Sequence, residues 1–174
     1  MTAPGQYRQD PAMSLSEPRE LLDAHLDSYR DAVLRKLDGL SDEQLRTSRL
    51  PSGWTPLGLL KHLAWVERRW LRWGFAGEHT ERPWGDRGPA GDWYVPAEET
   101  AEQVRALFLA ECARSRRAVA GAPLHQRARV GGRFPTEADA PTLSWILFHL
   151  LQEYARHVGH LDVVRELTDG DTGE

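Results

Sequence analysis

A single cysteine, Cys112, stands in a chain of 174 residues. That excludes an intramolecular disulfide framework and a cysteine-based zinc cluster, and it fits a reducing compartment. There is no basic surplus: 22 Lys and Arg face 26 Asp and Glu, a net charge of −4. Such a balance provides no counterion-releasing surface for bulk nucleic-acid binding. Long apolar runs are missing as well. The longest, such as Leu57–Leu60 and Leu143–Phe148, fall far short of the roughly 18 residues a membrane span needs. The N-terminus has neither the charged start nor the apolar core of a signal peptide. A cytoplasmic protein with no membrane or nucleic-acid partner is therefore expected. Strand-type alternation is also absent.

What remains is globular. At 40% hydrophobic and 28% charged residues, collagen-like and wholly disordered chains are excluded. The length suits one domain, two at most, with a core that needs no staples. Seven Trp and seven His are prominent in a chain of this size.

Four segments carry helical periodicity. The first runs from about Glu17 to Leu37, with Ser14 and Glu17 resembling a capping box and Gly39 ending it. A short helical turn follows from Ser41 to Leu45. The second runs from Thr55 to about Phe75, with Thr55 as N-cap, Pro56 in the first turn, and Leu59, Leu63, Val66 and Trp70 as its stripe. The third spans Thr100 to Val119 and the fourth Thr142 to Leu167. Residues 1–14 read as a flexible leader, 15–168 as the bundle and 169–174 as a short acidic tail. The connections Gly74–Pro96 and Pro123–Pro141 are long and irregular, the latter with a possible hairpin at Gly131-Gly132. Long connections in compact domains are often functional. An all-α four-helix bundle is the expected fold, and bundles build metal sites from side chains on facing helices.

The fourth segment carries ligand-type chemistry. At about 100° per residue, His149, Glu153, His157 and His160 fall within one arc of roughly 80°. Glu153 and His157 are four apart and meet one turn apart on the same face. His157 and His160 have usable spacing too, so spacing leaves more than one ligand set open. A further ligand must come from another helix, and His62, set among apolar residues where an unpaired imidazole is costly, is the candidate. Two nitrogens and a carboxylate suit Zn²⁺ with an open fourth position; Ni²⁺ or Fe²⁺ are alternatives.

The run Ser52-Gly53-Trp54-Thr55-Pro56-Leu57-Gly58-Leu59-Leu60-Lys61-His62-Leu63-Ala64, with Glu67 and Trp70 after it, resembles the second-helix signature of the DinB-like superfamily. Ser144–His149 followed by Glu153-Tyr154-Ala155-Arg156-His157-Val158-Gly159-His160 resembles its fourth-helix signature. The likeness extends from about Leu15 to Leu167. It is nearest the actinobacterial branch with mycothiol-dependent maleylpyruvate isomerase and mycothiol S-transferases. The resemblance implies an up-down-down-up bundle holding a divalent metal, often zinc. The ligands it implies are one His on helix two and two residues four apart on helix four. Carried onto this chain they are His62, Glu153 and His157. His160 falls where many relatives have Gln, which implies a pocket or supporting residue. The isomerase's additional C-terminal domain has no counterpart after the fourth helix, so the compact transferases are the nearer expectation.

The implied activity is metal-dependent S-transfer, in which a low-molecular-weight thiol, expected to be mycothiol, attacks an electrophilic small molecule. His149, Tyr154 and His160 are the candidates for supporting the ligands or moving protons. Arg156, Trp84 and Trp93 are the candidates for contacting the cofactor. The other tryptophans, Trp54, Trp65, Trp70, Trp73 and Trp145, are expected to be packing residues, and Cys112 a core residue. A thiol-dependent isomerase, a metal-assisted hydrolase and a non-catalytic metal-binding stress protein are the alternatives. Members of the superfamily often dimerise through helix faces, so the resemblance also makes a homodimer possible.

Overall fold

A computed structural model describes residues 10–88 and 91–172. Most of the expected leader and the last two residues of the expected tail lie outside the described residues. Helix α1 spans Pro18–Leu37, α2 Asp42–Arg46, α3 Pro56–Glu67, α4 Ala101–Ala118 and α5 Leu143–Asp169. A π-helical segment, Arg68–Phe75, continues α3. The chain is all-α, a DinB-like bundle in which α1 packs on α5 and α3 on α4. Among the described residues no helix is long and apolar enough to cross a membrane.

Helix boundaries follow local chemistry. Thr55 caps α3 by accepting from the Gly58 N–H, Thr100 and Gln103 form a reciprocal capping box on α4, and Thr142 caps α5. These contacts satisfy N–H groups that have no partner inside the helix. The capping box expected from Ser14 does not form. Glu17 is the N-cap without a side-chain hydrogen bond, and Pro18 begins α1 with its preset φ. Pro123–Pro141 contains isolated bridges, Arg127 with Thr142 and Val130 with Phe134, and no strand ladder among the described residues.

Helix α3 is the axis of the core. Every residue from Pro56 to Glu67 is buried, rather than one stripe. Three of them are polar, and a buried polar group must be paired. Lys61 pairs with Asp86 and Glu99 at 2.5 Å each, which ties the 76–100 connection to the bundle. Glu67 accepts from Arg30 at 2.8 and 3.1 Å and from the Tyr154 hydroxyl at 2.6 Å. His62 pairs with Asp92. Cys112 lies in the Glu67 cluster, where burial and the Glu67 charge push its thiol far up, so it is an inert core residue.

The π-helical segment was not legible from 3.6-residue periodicity. A π turn admits an extra residue and rotates all that follows. Here it sends Arg69 to Asp92, Trp70 to His149, and Arg68 and Arg72 to the buried Glu111.

Candidate metal centre

The wholly buried α3 delivers His62, and α5 delivers Glu153 and His157 from adjacent turns. One ligand atom from each lies within 4.8 Å of the others. Glu153 Oε2 is 3.3 Å from His157 Nε2, and its Oε1 is 3.4 Å from His149 Nε2. The His62 and His157 rings meet edge to face at 5.0 Å.

His62 is held from two sides. Its Nδ1 lies 3.0 Å from Asp92 Oδ2, and that same oxygen accepts from Arg69 Nη2 at 2.8 Å. Trp93 stacks on the ring at 4.3 Å and 18°. With Nδ1 engaged by a carboxylate, Nε2 carries the lone pair, and this buried nitrogen has no hydrogen-bond partner among the described residues. A buried acceptor left alone costs about 1–3 kcal/mol. A divalent cation held by His62 would remove that cost. A carboxylate behind a histidine is also the usual way to orient a metal ligand. The residues fit a cation.

Electrostatics favour the charged form of the two carboxylates and disfavour that of the two outer histidines. The hydrogen bond with His157 holds the Glu153 carboxyl below its ordinary range against burial. Burial works to raise Asp92, but the bonds from His62 and Arg69 outweigh it and hold it low. Burial, with the charges of Arg133, Arg156 and Arg69, lowers His149 despite Glu153. Burial, His157 and Arg156 lower His160. An ionised carboxylate is what metal binding requires of Glu153.

Of the other expected site residues, His149, His160 and Trp93 gather around this group. His149 stacks on Trp145 at 5.4 Å and meets Trp70 at 4.2 Å, so the exposed Trp145 walls the site rather than the core, while Trp70 packs against the core and borders the site as well. His160 is exposed, 5.5 Å from His157 and 6.0 Å from Trp54. Arg156 is exposed beside His157 and acts on both outer histidines through its charge. Tyr154 does not join them. It is fully buried, and its hydroxyl donates to Glu67 because it points around α5 into the core. Trp84 stands one step back from the group, with the Arg69 guanidinium over its ring at 4.6 Å.

Asp92 and Arg69 escaped the sequence reading. Asp92 has no ligand-type spacing, and its role depends on glycines that admit the 92–93 backbone to the bundle. A Cβ on Gly58 would stand 2.7 Å from the Trp93 carbonyl oxygen, and one on Gly85 2.9 Å from Asp92 Cα. Beside the group, a cleft of about 510 Å³ is lined by Ser52, Trp54, Thr55, Trp93 and Tyr94 among others. It shares Trp93 with His62 and Trp54 with His160, and its size suits a small molecule.

Fold and donor set together define an all-α bundle protein with a three-residue candidate metal centre. The Mycothiol-S-transferase family matches residues 21–170, and the chain belongs to that family. At the family level it is a mycothiol-related S-transferase. A comparison with curated proteins finds no match for the chain.

Proposed function

We propose that the chain is a metal-dependent S-transferase that joins mycothiol to an electrophilic small molecule, with Zn²⁺ held by His62, Glu153 and His157. The observation that carries this reading is a buried His62 Nε2 with no partner among the described residues, on a histidine whose ligand atom lies within 4.8 Å of those of Glu153 and His157. A bound divalent cation supplies a positive charge that lowers a thiol's pKa and favours the thiolate nucleophile.

The chain's residues do the rest. Asp92 and Trp93 hold the His62 ring. His149 sits behind Glu153 and restrains its carboxylate. His160, neutral and exposed at the rim, accepts the proton lost by the thiol or passes it to water. The cleft between Trp54 and Trp93 receives the body of the thiol. The C–S bond forms as the electrophile's leaving group departs with its electron pair.

Purified protein with mycothiol and monochlorobimane tests the reading. Turnover above the uncatalysed rate is expected, and loss of at least about a hundredfold in His62→Ala. Equal turnover by the two proteins would sink the proposal.

A further inference from the structure

Among the described residues, every arginine that is buried or half-buried pairs with a carboxylate, except Arg133. Arg133 is half-buried, and its Nη1 is buried with no acceptor. Aromatic rings surround its guanidinium instead: Trp70 at 4.2 Å, Trp84 at 4.8 Å, Trp73 at 5.8 Å and Phe134 at 6.0 Å. The cage is built from backbone. The Arg133 N–H donates to the Trp73 carbonyl at 3.2 Å, and a Cβ on Gly132 would sit 2.3 Å from that same oxygen. Only glycine lets the loop approach the π-helical segment this closely.

The cage adjoins the metal group. Trp70 touches both Arg133 and His149, and the two 4.2 Å separations put the guanidinium within about 8.4 Å of the His149 ring. On the other side, Trp84 carries both Arg133 and Arg69, and Arg69 bonds to Asp92 behind His62. A second cation with no anion of its own therefore stands at the rim of the site. Burial, with the Arg69 charge, pushes the Arg133 guanidinium down to about 10, as expected for a desolvated cation without a counter-charge. Aromatic faces fix its position but leave in-plane N–H groups for a planar oxyanion.

We propose that Arg133 is the docking group for a carboxylate on the electrophilic substrate, so that the favoured electrophiles are carboxylic acids. The inference rests on the S-transferase reading for the word electrophile, but the anion site stands on Arg133 itself. In turnover the mycothiol sulfur would bond to the acid's reactive carbon. The leaving group would depart with its electron pair, and the thiol proton would pass to solvent.

The test has a binding arm and a kinetic arm, each run on the native protein, Arg133→Gln and Arg133→Lys. Binding is read by quenching of tryptophan fluorescence with 4-methylbenzoate, which has no leaving group, and with neutral 4-methylbenzamide. Arg133→Gln is expected to weaken the carboxylate by at least about tenfold and leave the amide within twofold, with Arg133→Lys recovering part of the loss. The kinetic arm compares 4-(chloromethyl)benzoate with its primary amide, with mycothiol as the thiol. The same selective loss is expected in kcat/KM for the acid. Equal losses for acid and amide, an unchanged carboxylate affinity, or a raised KM for mycothiol with both electrophiles would each overturn the proposal. Arg133-dependent binding without any turnover would retain the anion site and overturn the S-transferase reading.

Discussion

Asp92→Ala isolates the part of the site that spacing in the chain does not reveal. The substitution removes the one hydrogen-bond acceptor that His62 Nδ1 and Arg69 Nη2 have among the described residues. The His62 ring keeps its Trp93 stack at 4.3 Å but loses the contact that sets its tautomer. Losing such a supporting carboxylate typically costs 10–100-fold in metal affinity, or about 1.4–2.7 kcal/mol. The variant also strands Arg69, whose side chain is 11% exposed. Its stack on Trp84 at 4.6 Å remains, so the cost to folding should lie near about 3 kcal/mol, the low edge for a buried charge without a partner. For a chain of this size that lowers the Tm by about 6–12 °C. Asp92→Asn keeps an acceptor for Nδ1 and should weaken the metal by less than about tenfold. Zn²⁺ titration against a competing chelator, with circular dichroism to establish folding, gives the ranking. The expected order of affinity is native, Asp92→Asn, Asp92→Ala, then His62→Ala with none measurable. An Asp92→Ala protein that binds Zn²⁺ within twofold of native would refute the claim that Asp92 orients the ligand.

Gly58→Ala should improve the intrinsic helix propensity of α3 by about 1 kcal/mol, yet its Cβ would stand 2.7 Å from the Trp93 carbonyl oxygen. The same titration should therefore show about tenfold weaker metal binding with the helix intact; unchanged affinity would mean that the 92–93 segment does not need this close approach. Glu67→Gln leaves Arg30 with only the half-exposed Asp27 and should cost about 3 kcal/mol at neutral pH in urea unfolding. Arg30→Met combined with Glu67→Gln should recover much of that loss, because no buried charge is then left alone. Burial acts to raise the Glu67 carboxyl, but Arg30 outweighs it and holds the folded-state value below the ordinary 4.5. A depressed folded value gives stability that is full above 4.5 and is lost as the pH falls below it. Native protein should lose stability across that acidic window more steeply than Glu67→Gln, and parallel pH profiles would contradict the assignment.

Much of the bundle is local and therefore legible in the chain. Thr55-Pro56, Thr100 and Thr142 mark helix starts because capping is decided within four residues. Glu153 and His157 share a face because the α-helix repeats every 3.6 residues. His62 stands out because an imidazole in an apolar run needs a partner. The same periodicity misleads where the backbone leaves it. The π-helical segment re-aims Arg69 and Trp70, and one step around α5 carries Tyr154 from the metal face to Glu67.

The sequence by itself determined the helix starts and the face that Glu153 and His157 share, since both rest on interactions between residues close along the chain; the choice of ligand set came from the resemblance. Tertiary structure alone decided what surrounds those ligands. Asp92 reaches His62 across 30 positions, admitted by Gly58 and Gly85. Arg133 meets Trp70, Trp73 and Trp84 through a glycine that yields to the Trp73 carbonyl. Contacts of that kind depend on how closely two backbones approach, and no local spacing encodes that distance.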